Sequence, residues 1–184
     1  LERIPLADLS GGARAWVADH HVDPAYCRSK AEALLEKRNE LYRKAVQAYA
    51  RRSTAKAHSA TALYYSTEGH KYDAKARVWR MRAAQATVAA MKRASENIID
   101  LHGVSRAEAV AVVLEEANVW YSHTKSTDAH LQRPAPLHII TGLGTHSVDG
   151  KARVHPSVAR ALRENGWWFE EGRGFIDVLG VRQG

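Results

Sequence analysis

The sequence predicts an α/β protein of the α+β kind: a basic N-terminal helical hairpin followed by a β-α-β-α-β-β two-layer sandwich. Three observations carry this prediction. Over residues 24–97, apolar side chains recur at helical spacing. From Ile98 onward, short β-rich runs alternate with amphipathic segments and glycine turns. Charge divides at the same place: residues 1–97 hold 18 Lys and Arg against 10 Asp and Glu, whereas residues 98–184 hold 9 against 10. The expected organisation is a tail or strap over 1–22, a helical extension over 23–97 and a sandwich domain over 98–182.

Residues 1–22 read as irregular, with Ser-Gly-Gly at 10–12. Asp23 and Pro24 then mark a helix start, because an aspartate caps free N–H groups and proline has none to lose at the first position. Leu34, Leu35, Leu41, Tyr42, Ala45 and Tyr49 follow at helical spacing. A second helical stretch, 54–97, carries Tyr65, Tyr72, Trp79 and Ala86 seven residues apart, with Ala76, Ala83 and Ala90 between. That narrow stripe suits packing along one partner helix and reads as core rather than as a base-stacking surface. Gly69 is a candidate break that would divide the stretch in two.

"IIDLH" at 98–102 predicts a short strand. Asp100 and His102 would share one face of it, since strand side chains alternate. A capping box, Ser105 with Glu108, opens the helix that follows. Residues 122–136 read as a loop, 137–141 ("LHIIT") as a second strand parallel to the first, and "GLGTHSVDGKAR" as a glycine-rich loop. "HPSVARALREN" is a helix with Pro156 near its start and Gly166 as its terminator. "WWFEEGRGFIDVLG" is a hairpin about a Glu-Gly-Arg-Gly turn.

Bulk properties exclude several classes. Hydrophobic residues make up 45% and charged residues 26%, a globular composition. No apolar run is long enough to span a membrane and nothing resembles a signal peptide. The lone cysteine, Cys27, forms no internal disulfide, which fits a reducing, cytoplasmic setting. The chain opens on Leu1 and is expected to be a piece of something longer. The net charge of +7 concentrates between Arg43 and Arg93, where 12 basic residues face only Glu68 and Asp73. Such a stretch favours a polyanionic partner, with Arg51, Arg52, Lys71 and Lys75 as candidate contacts.

Parallel first and second strands would open "DLHG" and "TGLGTHS" on one sheet edge, where ligands of open α/β sheets bind. That edge gathers Asp100, His102, Gly103, Gly142, Gly144, His146 and Ser147, with Lys151 and Arg153 following. Backbone amides of a glycine loop and a helix N-terminus favour phosphate. A histidine paired with a carboxylate beside such a pocket suits phosphodiester cleavage. On RNA the 2′-OH serves as nucleophile, the imidazole moves its proton, the aspartate orients the ring, and an arginine stabilises the phosphate charge. No metal or other cofactor is needed for that route. DNA lacks the 2′-OH, and cutting it calls for an activated water and Mg²⁺. His138 and His155 read as structural.

"DLHG" at 100–103, "LHIITGLGTHS" at 137–147 and the closing "ENGWWFEEGRGFIDVLG" resemble the Smr (small MutS-related) domain. The preceding helices resemble the extension found before eukaryotic Smr domains. The resemblance implies a fold like the C-terminal domain of translation initiation factor 3 and nucleic-acid endonuclease activity. Relatives with the Asp-x-His signature include nucleases that cut messenger RNA at stalled ribosomes. Asp100 and His102 match that signature, and Arg153 matches a basic position on the following loop. The family usually places Lys or Arg between the two glycines of the second motif, where this chain has Leu143. The expected function is therefore an RNA endonuclease in mRNA decay or ribosome quality control, acting as a monomer, with RNA and the ribosome as partners and no membrane. A non-catalytic RNA- or ribosome-binding module and a Mg²⁺-dependent DNA-nicking enzyme are the alternatives.

Overall fold

The computed structural model describes residues 23–50, 56–92, 97–126, 135–143 and 153–182, together with Ala15 and Val17. The expectation of an irregular tail over 1–22 therefore lies outside the described residues except at those two positions, both helical. Among the described residues from Asp23 onward, eight elements follow in chain order: α1 (Pro24–Ala50), α2 (Lys56–Lys92), β1 (Ile98–Asp100), α3 (Arg106–Ser126), β2 (Leu137–Ile140), α4 (Val154–Glu164), β3 (Trp167–Gly172) and β4 (Phe175–Val181).

α1 begins where its capping signal places it. Asp23 Oδ1 accepts the N–H of Ala25 at 2.9 Å, and Pro24 is the first helical residue. α2 runs 37 residues without a break, so Gly69 does not divide it. Its role is different. A Cβ at 69 would lie 2.3 Å from the Tyr42 ring of α1, so glycine permits the two helices to approach closely. Ala62, Gly69, Ala76 and Ala83 are all buried and seven apart, which makes the seam a line of small residues. The aromatic line expected to form the core, Tyr65, Tyr72 and Trp79, is displaced to a half-buried flank. Arg38 bonds Asp73 across the hairpin at 2.7 Å, and Arg77 bonds it from within the same helix at 2.6 Å.

The four strands form one mixed sheet in the order β1-β2-β4-β3. β1 and β2 are parallel, as expected, and β2/β4 and β4/β3 are antiparallel. Ile99, Ile139 and Ile176 stand opposite one another across three strands, each fully buried. Met81 and Val88 of α2, Val112 and Val113 of α3, and Val158 and Leu162 of α4 cover this face. Each such side chain contributes about 1.5–3 kcal/mol by leaving water. The other face carries His138, Ile140, Phe175 and Asp177, only partly covered. Two boundaries differ from the sequence reading: β1 stops at Asp100 rather than at His102, and α3 continues to Ser126. Among the described residues, no helix is long and apolar enough to cross a membrane.

Candidate active site

The site begins where β1 ends. Asp100 Oδ1 accepts the backbone N–H of His102 at 2.9 Å, an Asx turn in which a side chain stands in for backbone. The same oxygen accepts Nδ1–H of the His102 ring at 2.5 Å. Strand alternation does not create the pair, since Leu101 and His102 have left the strand. A turn creates it, and the turn is built by the carboxylate itself. Gly103, at φ +73°, allows the reversal, and Val104 N–H donates to Leu101 O at 3.2 Å. α3 then starts with half of the expected capping box in place: Ser105 N–H donates to Glu108 Oε2 at 3.1 Å.

A residue of the helical hairpin holds this turn. Arg28 of α1 donates to Gly103 O and to Thr87 Oγ1 of α2, both at 3.2 Å. A cavity of about 200 Å³ beside it is lined by Arg28, Glu32, Arg80, Gly103 and Glu108.

The end of β2 forms the opposite wall. Gly142, at φ +74°, presents its missing side chain to His102: a Cβ there would sit 3.5 Å from Nε2. The N–H groups of Thr141 and Gly142 both donate to Gly174 O, at 2.9 and 3.1 Å. The backbone-amide phosphate contact expected of Gly142 is thus not offered, and its contribution is space. Leu143 is 49% exposed, with Cδ2 3.1 Å from where a Cβ on Gly174 would lie.

Thr141 leads into a chain of polar contacts not foreseen from the sequence. Its Oγ1 is 2.9 Å from Nδ1 of His155 on α4. His155 Nε2 is 3.2 Å from Glu171 Oε2 of β3, and Glu171 Oε1 accepts from Arg163 at 3.2 Å. His155 is thus tied to the candidate edge. His138, in contrast, pairs with Asp177 at 2.6 Å and stacks against Phe175 at 5.0 Å on the open face of the sheet, a structural role.

The structure brings together Asp100, His102, Gly103 and Gly142. Arg153 is exposed at the N-terminal end of α4, two residues before His155. Lys71 is paired with Glu68 at 2.7 Å, and Lys75 sits 5.3 Å from the Tyr72 ring centre, both on the outside of α2. The remaining expected contacts, Arg51, Arg52, Gly144, His146, Ser147 and Lys151, lie outside the described residues. Among the described residues, no three His, Cys, Asp or Glu side chains converge as a metal site.

A small mixed sheet, helices on one face, and an Asp-x-His turn at the carboxyl edge of its parallel pair define an α+β class with a candidate acid–base centre. Comparison with known proteins makes the class specific. An Smr domain-containing protein of Schizosaccharomyces pombe is 30% identical over 157 residues, 85% of this chain and 30% of the relative. A second from the same yeast is 30% identical over 138 residues, 74% of this chain and 60% of the relative. The human protein NEDD4-binding protein 2 is 31% identical over 146 residues, 77% of this chain and 8% of its own length. The chain is an Smr domain protein. It spans less than two thirds of each of these relatives. No protein-family model matches the chain, and no solved structure matches it.

Proposed function

We propose that this chain is an RNA endonuclease that cleaves by metal-independent acid–base chemistry, serving mRNA decay or ribosome quality control in the cytoplasm. The observation that carries the reading is the state of the His102 ring. Asp100 holds Nδ1–H, which leaves the Nε2 lone pair as the basic position. Nε2 has no hydrogen bond among the described residues, and the side chain is 58% exposed beside the bare Cα of Gly142. A polymer can reach it there.

Nε2 takes the proton of a ribose 2′-OH, and the Asp100 carboxylate supports the imidazolium that forms. The 2′-oxygen attacks the adjacent phosphorus, the bond to the 5′-oxygen breaks, and a 2′,3′-cyclic phosphate remains. Arg153, with the positive end of α4, meets the charge that builds on the phosphate oxygens. The basic outer faces of α1 and α2 hold the RNA backbone, with the ribosome as a further partner, and a single copy of the chain suffices.

Leu143 favours the second reading, a non-catalytic RNA- or ribosome-binding module: an apolar side chain stands between the glycines and packs on Gly174. One experiment decides. Labelled single-stranded RNA in EDTA, and labelled DNA in Mg²⁺ with and without EDTA, are incubated with the wild type, His102→Ala and Asp100→Asn. Cleavage by the wild type to 2′,3′-cyclic ends, reduced about 10²–10⁴-fold in either variant, supports the nuclease. Equal binding by all three with no cleavage supports the module, and activity confined to DNA and abolished by EDTA supports the Mg²⁺ nickase.

A further inference from the structure

We infer that His155 is the second proton-transfer group of the site, supplying the proton for the departing 5′-oxygen through the hydroxyl of Thr141. The inference rests on the nuclease reading above and deepens it. Cleavage by the 2′-OH moves two protons. One leaves the nucleophile and one joins the leaving oxygen, and His102 accounts only for the first. An alkoxide is a poor leaving group in water, so the second transfer matters as much.

Two imidazoles, each backed by a carboxylate, converge on consecutive residues at the end of β2. His102 Nε2 faces Gly142, with Asp100 behind its Nδ1. His155 Nδ1 lies 2.9 Å from Thr141 Oγ1, with Glu171 3.2 Å behind its Nε2. The two contacts of His155 fix the direction of transfer. With both ring nitrogens protonated, Nε2–H donates to Glu171 and Nδ1–H donates to Thr141 Oγ1. The threonine O–H is then released to donate onward. The other groups in this chain of contacts are Thr141 just past β2, which is neutral, Glu171 of β3, and Arg163 of α4, which binds the far oxygen of Glu171. Arg163 holds that carboxylate in place. His155 itself is 19% exposed, and the hydroxyl of Thr141 stands directly at its Nδ1.

The step balances. His102 Nε2 accepts the 2′-OH proton as the 2′-oxygen bonds to phosphorus. The bond from phosphorus to the 5′-oxygen breaks, that oxygen takes the proton of Thr141 Oγ1, and Oγ1 takes the proton of His155 Nδ1. The products are a 2′,3′-cyclic phosphate, a 5′-hydroxyl, a protonated His102 and a neutral His155. Exchange with water restores both rings.

The test uses two RNA substrates in EDTA. One has an ordinary linkage, and the other has sulfur in place of the bridging 5′-oxygen at a single site. A thiolate leaves without a proton, since thiols ionise near about 8.5. Wild type, His155→Ala, Thr141→Val and Thr141→Ser are compared after thermal melting confirms that each is folded. The expected result is a loss of about 10²-fold or more on the ordinary linkage for His155→Ala and Thr141→Val. Both recover to near the wild-type rate on the sulfur linkage, and Thr141→Ser restores the ordinary reaction. In the wild type, kcat/KM falls at high pH as the acid loses its proton, and His155→Ala removes that fall. Equal losses on both linkages would make His155 a packing residue and overturn the inference. So would unchanged rates on the ordinary linkage. A wild type that cuts neither substrate overturns the nuclease reading, and this inference with it.

Discussion

Asp100 serves the backbone and the imidazole with the same oxygen, and two substitutions separate the two duties. Asp100→Asn keeps a carbonyl oxygen to accept the His102 N–H, so the turn survives, but it removes the charge that supports an imidazolium. Thermal melting is expected to move little while cleavage falls about 10²-fold or more. Asp100→Ala removes the turn as well, and costs stability by about 1 kcal/mol in addition. Equal melting losses in both variants would show that the charge, not the turn, stabilises this corner. Gly142 gives a second separation. Its φ of +74° is strained for any residue with a Cβ, and that Cβ would stand 3.5 Å from Nε2 of His102. Gly142→Ala is expected to lower stability by about 1–2 kcal/mol and to bring a methyl group into contact with the base. A variant that melts and cleaves like the wild type would remove Gly142 from the site.

At the scale of elements, what was legible in the sequence was what is local in the chain. Asp23 and Pro24 start α1, and Glu108 returns to Ser105, because each partner is two or three residues away. The Asp100–His102 pair was legible for the same reason, although a turn rather than a strand makes it. Gly69 was misread because its reason is Tyr42, on the other helix. The contacts Thr141–His155–Glu171 and Arg28–Gly103 join residues from different elements, 14, 16 and 75 positions apart, and no periodicity reports them. Arg28 makes the hairpin part of the site's support. Arg28→Ala is expected to loosen the Asp100–Gly103 turn, lowering cleavage more than RNA affinity, with partial rescue by added guanidinium ion. A loss of affinity alone would contradict this. Asp73 ties the hairpin itself. Burial pushes the pKa of its carboxyl up, but hydrogen bonds from Arg38 and Arg77 outweigh it and hold the group below its ordinary 3.8. A carboxyl depressed in the fold stabilises above its unfolded value and loses that contribution as pH falls through the lower folded value. The hairpin is therefore expected to weaken below about pH 4. Asp73→Asn, at neutral pH, should cost about 1–2 kcal/mol and flatten that acid response. An unchanged acid transition would assign it elsewhere.

For the whole molecule, the charge division and the division of labour follow the same line. The 18 Lys and Arg of residues 1–97, rather than their net of +8, overstate the cations ready to meet a partner, because several are already paired internally. Arg38 and Arg77 neutralise Asp73, Lys37 and Lys44 share Glu40, and Lys71 holds Glu68. These pairs sit along α1 and α2 as solvated faces do, and exposed ones contribute little stability. Their consequence is for binding: each lysine recruited by a phosphate must first give up its carboxylate. Lys75, held over Tyr72 and without an ion pair among the described residues, has no such debt. Single-stranded RNA releases counterions with a slope of about 0.7 in log Kd against log salt for each phosphate neutralised. Lys75→Ala is therefore expected to flatten the slope by about 0.7 and Lys71→Ala by less, since it also frees Glu68. His102→Ala should leave the slope where it is and lower cleavage by about 10²–10⁴-fold. Fluorescence anisotropy on one labelled RNA from low to physiological salt reads all three. If His102→Ala flattened the slope as Lys75→Ala does, grip and chemistry would share one surface, and the helical extension would be a scaffold for the turn rather than the hand that holds the RNA.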